Sequence, residues 1–565
     1  MVNRIFTSLI VLLMIFIFAG NTYATNPYIK KYLQPGKDAY QNSEVKKDYK
    51  KNKKNSNNKD RYQNYDVGDD ETFWRWDFTV MPPTNVQEDA VCMAVGDHSY
   101  IFVSEDAWDN GYMDQDDVDL IYERLENSTL NSTEMGIVEM DSIYFGEIPD
   151  VHDDDPRVIF YFTELGSYNG SIFDGYFSIF NQMTEEEAVA LGQHSNEVEM
   201  LYMSCHPVDP TSDVNLSVMA HELEHLIHWG ADEDEESWVD EGCAEYAMVL
   251  YGYPDPLTSF PSNSNNSLLA WNQDFSDYVK TQLFFTYLSE HFGGADLIKN
   301  IVSQPGNSVD GLVEALDIIT PSADLQEIIY SWAIANVADD LDYGSGIFGY
   351  DNFDMPNFNG QTFSSFPIDH SANLFGAAAK YFTISESFEQ LNFSFNSSAH
   401  NEWEASLLFF EDDVLRDVVS LSTGGSNTSV DYPDGYVPTL VRLAIVNTNL
   451  VDYESAYEFN ITSGTGIESN YELGISNYEL KQNYPNPFNP QTQINYELRI
   501  TNYKKAEIEV CNSVGQKVWS SGNLPLSINH SPLYFDGSKF NSGIYYYSLI
   551  VDGTKMDTKS MVLIK

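Results

Sequence analysis

The residues best suited to chemistry are His221-Glu-Leu-Glu-His225, inside Leu216-Ser-Val-Met-Ala-His-Glu-Leu-Glu-His-Leu-Ile-His-Trp229. Two imidazoles four residues apart share one face of a helix, so both rings can point at one ion. Glu222 follows the first histidine directly and can take a proton from a water held at that ion. In a chain with 11 histidines, a chance H-E-x-x-H is roughly a one-in-a-hundred event. The competing reading is a pair of core or solvated histidines on an amphipathic helix. His228, three residues past His225, reads as a structural or rim histidine rather than a ligand.

A second helix follows closely. Ser237-Trp-Val-Asp240 has the S-x-x-D form of a capping box and is expected to start it. Glu241 and Glu245 come next, four apart and so on one face. One carboxylate can complete a His2Glu zinc site and leave a fourth position for water. The other can accept the ring N–H of a ligand histidine and fix its tautomer. Burying two acids on one face is costly without such partners. Spacing leaves open which acid does which.

These side chains need a scaffold. Helical patterns dominate from Val214 to about Val337. Ahead of them, from Phe73 to about Pro210, short apolar runs alternate with acidic turns. Arg157-Val-Ile-Phe-Tyr-Phe162 and Val198-Glu-Met-Leu-Tyr-Met203 are the strand candidates there. Residues 340–465 return to strands, such as Leu407 to Phe410 and Val441 to Val446, between Gly, Asn and Asp turns. That pattern suits a β-sandwich. The expected fold class is multidomain α+β: a catalytic domain with a mixed-sheet lobe and a helical lobe over 71–339, then the sandwich over 340–465. A linker at 466–481 holds the echo Asn470-Tyr-Glu-Leu473 and Asn477-Tyr-Glu-Leu480, and a small Ig-like β-sandwich occupies 482–565.

The N-terminus reads as an export signal over 1–24. Arg4 precedes the apolar run Ile5 to Phe18, and Thr22-Tyr-Ala24 forms a small-x-small cleavage site. The run is short of the roughly 20 residues a bilayer span needs, and no transmembrane helix is expected in the mature chain. Residues 25–70 are rich in Lys and Asn, the composition of a basic low-complexity leader or a propeptide.

At the two helices the chain resembles the glutamate-zincin metallopeptidases. H-E-L-E-H followed by Trp238-Val-Asp-Glu-Gly242 is similar to their paired signatures, and within them to the hyicolysin-type and immune-inhibitor-A-like secreted peptidases. Phe173-Asp-Gly-Tyr-Phe177 and Ser195-Asn-Glu-Val-Glu-Met-Leu-Tyr202 also resemble hyicolysin-type sequences. The resemblance covers roughly 75–345 and implies a zincin-like catalytic domain. It implies His221, His225 and Glu241 as zinc ligands, Glu222 as general base, and Glu245 as the acid bonded to the first histidine. It also implies a tyrosine of a Y-x-K pattern as oxyanion donor, which falls on Tyr278 of Asp277-Tyr-Val-Lys280, with His291 in reserve. The strand at 195–202 is then the expected cleft edge for an extended substrate. His228 and Ala231 stand where a metzincin has its glycine and third histidine. A G-x-M-E-N exopeptidase motif is missing ahead of the zinc helix, which favours an endopeptidase acting on proteins or peptides.

The composition excludes other classes. Acidic residues number 86 against 29 basic, a formal charge of −57, which argues against a nucleic-acid partner because phosphate binding needs a basic face. Hydrophobics at 42% and aromatics at 14% exclude a wholly disordered acidic chain. Two acidic clusters are candidate Ca²⁺ ligands or, alternatively, solvated turns: Asp109, Asp114, Asp116, Asp117 and Asp119, and Asp150, His152, Asp153, Asp154 and Asp155. The four cysteines allow one bridge, Cys92 to Cys205, or four buried free thiols.

The tail reads Leu480-Lys-Gln-Asn-Tyr-Pro-Asn-Pro-Phe-Asn-Pro490, with strands near Ile494 to Leu498, Ile508 to Val510 and Ser542 to Leu549. It resembles the sorting domain of type IX secretion substrates, which implies a partner in that machinery and a place outside a Gram-negative cell. Two functions are thus expected to compete. One is a secreted, monomeric zinc endopeptidase; the other is a surface adhesion protein whose peptidase-like domain is inactive.

Overall fold

The computed structural model describes residues 64–565 apart from 81–82, 154, 169–170, 258–259, 261–263, 357–359, 398–401, 464–477, 499–504, 513–515, 523, 525–532 and 552–553. The expected signal peptide, the leader up to residue 63, Asp154 and most of the linker lie outside the described residues. The protein is α+β and rich in sheet. It divides into two compact units, residues 1–465 and 466–565.

The first unit is organised by a six-stranded sheet. In chain order its elements are β1 (Asp70–Asp77), β2 (Thr84–Val95), β3 (Ser99–Ser104), α1 (Glu105–Asp109), α2 (Gln115–Glu126), α3 (Ile137–Tyr144) and β4 (Val158–Thr163). A short hairpin of β5 (Ser167–Tyr168) and β6 (Ser171–Ile172) follows, then β7 (Gly175–Phe177), α4 (Glu185–Ala190) and β8 (Met200–Ser204). The sheet order is β1-β2-β3-β4-β8-β7. Strands β3, β4 and β8 run parallel, and β7 returns antiparallel along β8. Every residue of β4 is buried, as a strand covered on both faces requires. Alternation sorts its side chains: Val158, Phe160 and Phe162 join the core shared with the helices, while Ile159 and Tyr161 enter an aromatic core with Phe73, Phe102, Tyr176 and Tyr202.

That sorting also decides the cysteines. Cys92 lies in the aromatic core and Cys205 in the helical one, so the Cys92–Cys205 bridge does not form and all four thiols are free. Cys511 is half-buried rather than buried. A second correction concerns the cleft edge. β8 is flanked by β4 and β7, so its backbone groups are already paired; among the described residues the sheet ends on that side at β7, whose three residues are buried.

The helices follow: α5 (Asp213–Ala231), α6 (Ser237–Tyr251), α7 (Phe275–Phe292), α8 (Gly294–Ser303), α9 (Ser308–Ile319) and α10 (Leu325–Ala338). Ser212 caps α5 by accepting from Asn215 N–H. α6 does not start as its S-x-x-D motif suggests. Glu236 is the residue before the helix, Ser237 is its first residue, and no side chain caps it. The Asp240 carboxylate is engaged with a histidine of α5 instead.

Residues 361–463 form a β-sandwich of a four-stranded and a five-stranded sheet. Strand Trp403–Glu411 shows how it is built. Trp403, Ala405, Leu407 and Phe409 fill the space between the sheets, whereas Leu408 and Phe410 join the helical core. The Tyr381 hydroxyl donates to the Ala333 carbonyl at 2.7 Å, and Tyr330 pairs with Ser406 at 2.6 Å. α10 is therefore welded to the sandwich. No helix among the described residues is long and apolar enough to cross a membrane.

The second unit is all-β among its described residues. A four-stranded antiparallel sheet joins Lys517–Ser520, Ala506–Asn512, Gly543–Val551 and Thr554–Leu563. The stretch expected as one strand near Ile494 to Leu498 divides into Gln491–Ile494 and Tyr496–Leu498, which pair with different partners. Phe488, Ile508, Phe535, Tyr547 and Met561 share its core.

Candidate metal centre

Three elements converge on His221 and His225. α5 carries the H-E-L-E-H run, and all five of its residues are buried. The two rings stand edge to face, with centroids 4.7 Å apart and planes at 90°. Their Nε2 atoms are 3.1 Å apart. Glu241 Oε2 on α6 lies 3.6 Å from His221 Nε2 and 3.7 Å from His225 Nε2. Tetrahedral ligands about 2.0–2.1 Å from an ion sit roughly 3.4 Å from each other. Two imidazole nitrogens and one carboxylate oxygen at these spacings fit a zinc-sized ion.

The remaining ring nitrogens face carboxylates as well. His221 Nδ1 is 3.3 Å from Glu245 Oε1, and His225 Nδ1 is 2.9 Å from Asp240 Oδ1. Stepping four residues along α5 is matched by stepping five back along α6, as two helices packed antiparallel require. A carboxylate at Nδ1 favours the tautomer protonated there, the form in which Nε2 can ligate. Asp240 is the residue the sequence reading missed. In sequence it stands as the acid of the S-x-x-D motif, next to Glu241.

The electrostatics favour a cation here. Burial alone would lower the His225 pKa, but Asp240, Glu241 and Glu222 outweigh it and push it up to about 10. The field that holds a proton on that ring would equally hold a metal ion. Glu222 is 1% exposed, and burial pushes its carboxyl up to about 7 against the opposing effects of His225 and the Phe177 amide. Its Oε2 accepts from Phe177 N–H of β7 at 2.7 Å, and its Oε1 has no hydrogen-bond partner among the described residues. The acid is thus tethered to the sheet's edge strand by one oxygen and has the other available.

Tyr278 lies in the first turn of α7, buried, with its ring edge-on to Trp271 at 4.8 Å. Burial raises its hydroxyl pKa well above the ordinary value, and Glu241, Glu245 and Glu222 raise it further, so the phenol is within electrostatic reach of the centre. Lys280 of the same turn does structural work: its ammonium bonds Asp277, Asn266 and the Ser267 and Ala270 carbonyls at 2.5–3.0 Å. α7 approaches α6 closely at Gly242, where an added Cβ would stand 2.4 Å from the Phe285 ring and 3.1 Å from Thr281.

Other candidates fall elsewhere. His291 is roughly 20 Å along α7 from Tyr278 and contacts the Gly349 carbonyl at 3.0 Å. His228 is buried and pairs with Glu224 at 3.0 Å, a structural position. In the first acidic cluster Asp114 caps α2 and Asp117 completes the capping box. In the second, Asp155 is engaged by Arg157 and Tyr100, while Asp150 and Asp153 gather with Glu199.

Comparison with known proteins bears on the two units differently. No curated protein matches the chain. Among solved structures, the adhesin domain of Epf from Streptococcus pyogenes aligns at 10% identity over 34% of this chain and 76% of its own, with a TM-score of 0.12. A glycosyl hydrolase family 2 member from Bacteroides cellulosilyticus aligns at 11% identity over 33% of this chain and 27% of its own, with a TM-score of 0.15. The β-glucuronidase of Ruminococcus gnavus aligns at 10% identity over 34% of this chain and 36% of its own, again at 0.15. Residues 482–564 match the family described as the secretion system C-terminal sorting domain. The tail is thus a type IX sorting domain, and the chain is exported to the outer surface of a Gram-negative cell of the Bacteroidetes type, or beyond it.

Proposed function

We propose that the first unit is a zinc-dependent endopeptidase with a zincin-like catalytic domain. The observation that carries this reading is the meeting of His221, His225 and Glu241 with both outer ring nitrogens turned to carboxylates. His221, His225 and Glu241 would hold the ion, which when bound supplies a Lewis acid that polarises the scissile carbonyl and acidifies a water. Glu222 Oε1 takes the proton of the attacking water as its oxygen bonds to the carbonyl carbon. The same carboxyl then returns that proton to the leaving nitrogen as the C–N bond breaks. Tyr278 donates its hydroxyl hydrogen to the carbonyl oxygen as charge builds there. Glu245 and Asp240 keep the two imidazoles in the ligating tautomer. Phe177 N–H of β7 holds Glu222 by its other oxygen, which fixes the proposed base against the last strand of the sheet.

The test is cleavage of an unfolded protein such as casein, with and without a chelator. Chelator-sensitive cleavage restored by zinc supports the proposal; full activity in chelator overturns it. Glu222→Gln is expected to keep zinc by metal analysis while turnover falls by about 10²–10⁴-fold. Unchanged turnover would remove Glu222 from the mechanism.

A further inference from the structure

We propose a calcium site formed by Asp150, Asp153 and Glu199, separate from the histidine centre and independent of the peptidase reading. Each residue offers a carboxylate oxygen, and these oxygens lie within 4.8 Å of one another. They come from two stretches far apart in sequence. Asp150 and Asp153 lie in the loop between α3 and β4, and Glu199 immediately precedes β8.

Glu199 is what points to a ligand. It is 2% exposed. One of its oxygens accepts from Val151 N–H at 3.1 Å, while Oε2 is buried without a hydrogen-bond partner among the described residues. Asp153, at 8% exposure, faces the same space, and one of its oxygens accepts from the Asp155 amide of its own turn. Two withdrawn carboxylates and a third at the surface repel one another unless protonated or bridged by a cation. Their environment agrees: burial first, then neighbouring acids, push Glu199 up to about 8 and Asp153 up to about 6. The neighbouring cation is already committed, because Arg157 grips Asp155 at 2.7–2.8 Å.

Oxygen-only donors select a hard cation, and an irregular loop suits calcium better than the strict octahedron magnesium demands. Exposed Asp150 leaves an entry path. The export of this chain places the site where extracellular calcium modules with dissociation constants of about 10⁻⁴–10⁻³ M can fill. Binding would also brace α5. Pro149, next to Asp150, packs so closely on Gly230 of α5 that a Cβ there would lie 3.0 Å from its ring. Calcium would pin this loop to β8 at one end while Pro149 rests on α5 at the other.

The experiment uses the full chain, stripped of metal and returned to buffer with Ca²⁺ alone, followed by calorimetric titration and thermal unfolding. One ion is expected to bind with a Kd of roughly 10⁻⁵–10⁻³ M and to raise the unfolding temperature. Asp150→Asn, at an exposed position that folding tolerates, and Glu199→Gln are each expected to weaken binding at least about tenfold. Equal concentrations of Mg²⁺ should bind more weakly. No heat and no thermal shift up to about 10 mM Ca²⁺ would overturn the site. So would binding that both substitutions leave unchanged, which would mean that Glu199 is simply a buried protonated acid.

Discussion

Two helices of this protein carry clustered acids that meet opposite fates. α2 carries Asp116, Asp117 and Asp119 behind the cap Asp114, and these four acids face solvent or close its first turn. α6 carries Asp240, Glu241 and Glu245, which are 4%, 6% and 0% exposed and turned toward the imidazoles of α5. At the surface, water solvates each carboxylate, and the residues are interchangeable within the first turn. In the core, each acid needs a basic or metal partner at a definite position along the facing helix. Acid density therefore says little; withdrawal from water beside a histidine says much.

The contrast can be broken from its strongest side first. Glu241→Ala should abolish stoichiometric zinc by metal analysis; full retention would make Glu245 the third ligand. Tyr278→Phe should lower kcat by about 10²–10³-fold with little change in KM, and an unchanged kcat would return Tyr278 to a packing role. Asp240→Asn should weaken metal affinity by roughly 10–100-fold in competition with a chelator. Equal affinity would show that the His225 contact is incidental. On the surface helix, Asp114→Ala should cost about 1 kcal/mol of stability through the lost cap and leave proteolysis untouched. A loss of activity there would erase the distinction between the two helices.

How far the sequence could be read follows the range of the interactions. The pairing of His221 with His225, and of Glu241 with Glu245, was legible because helical periodicity is local. So were the strands at 158–162 and 407–410, where continuous apolarity announces burial; which core each side chain enters was not. Asp240 was misread because its role depends on how two helices slide past each other. Ser237 resembles a cap for the same reason: the acid that would close the box bonds His225 instead. β7 was overlooked as the edge because three residues carry almost no pattern and strand order is a tertiary property. Glu199 could not be joined to Asp150 and Asp153 from sequence, since only the parallel pairing of β4 with β8 brings them level. Helices α1 to α4 interrupt a region where the acidic turns had masked their periodicity.

Gly242 touches neither the proposed ion nor the proposed substrate, yet it governs the tolerance of the whole assembly. Glu241, the proposed ligand, is its chain neighbour, and the Phe285 ring that faces it belongs to a residue about two turns along α7 from Tyr278. A single methyl group inserted there would work as a wedge near the middle of a lever, with Tyr278 on the long arm. Small displacements at the wedge would grow into larger ones where the hydroxyl must meet a reacting oxygen. The close approach of α6 and α7 thus depends on a residue with no side chain, at a position an inventory of reactive groups would pass over.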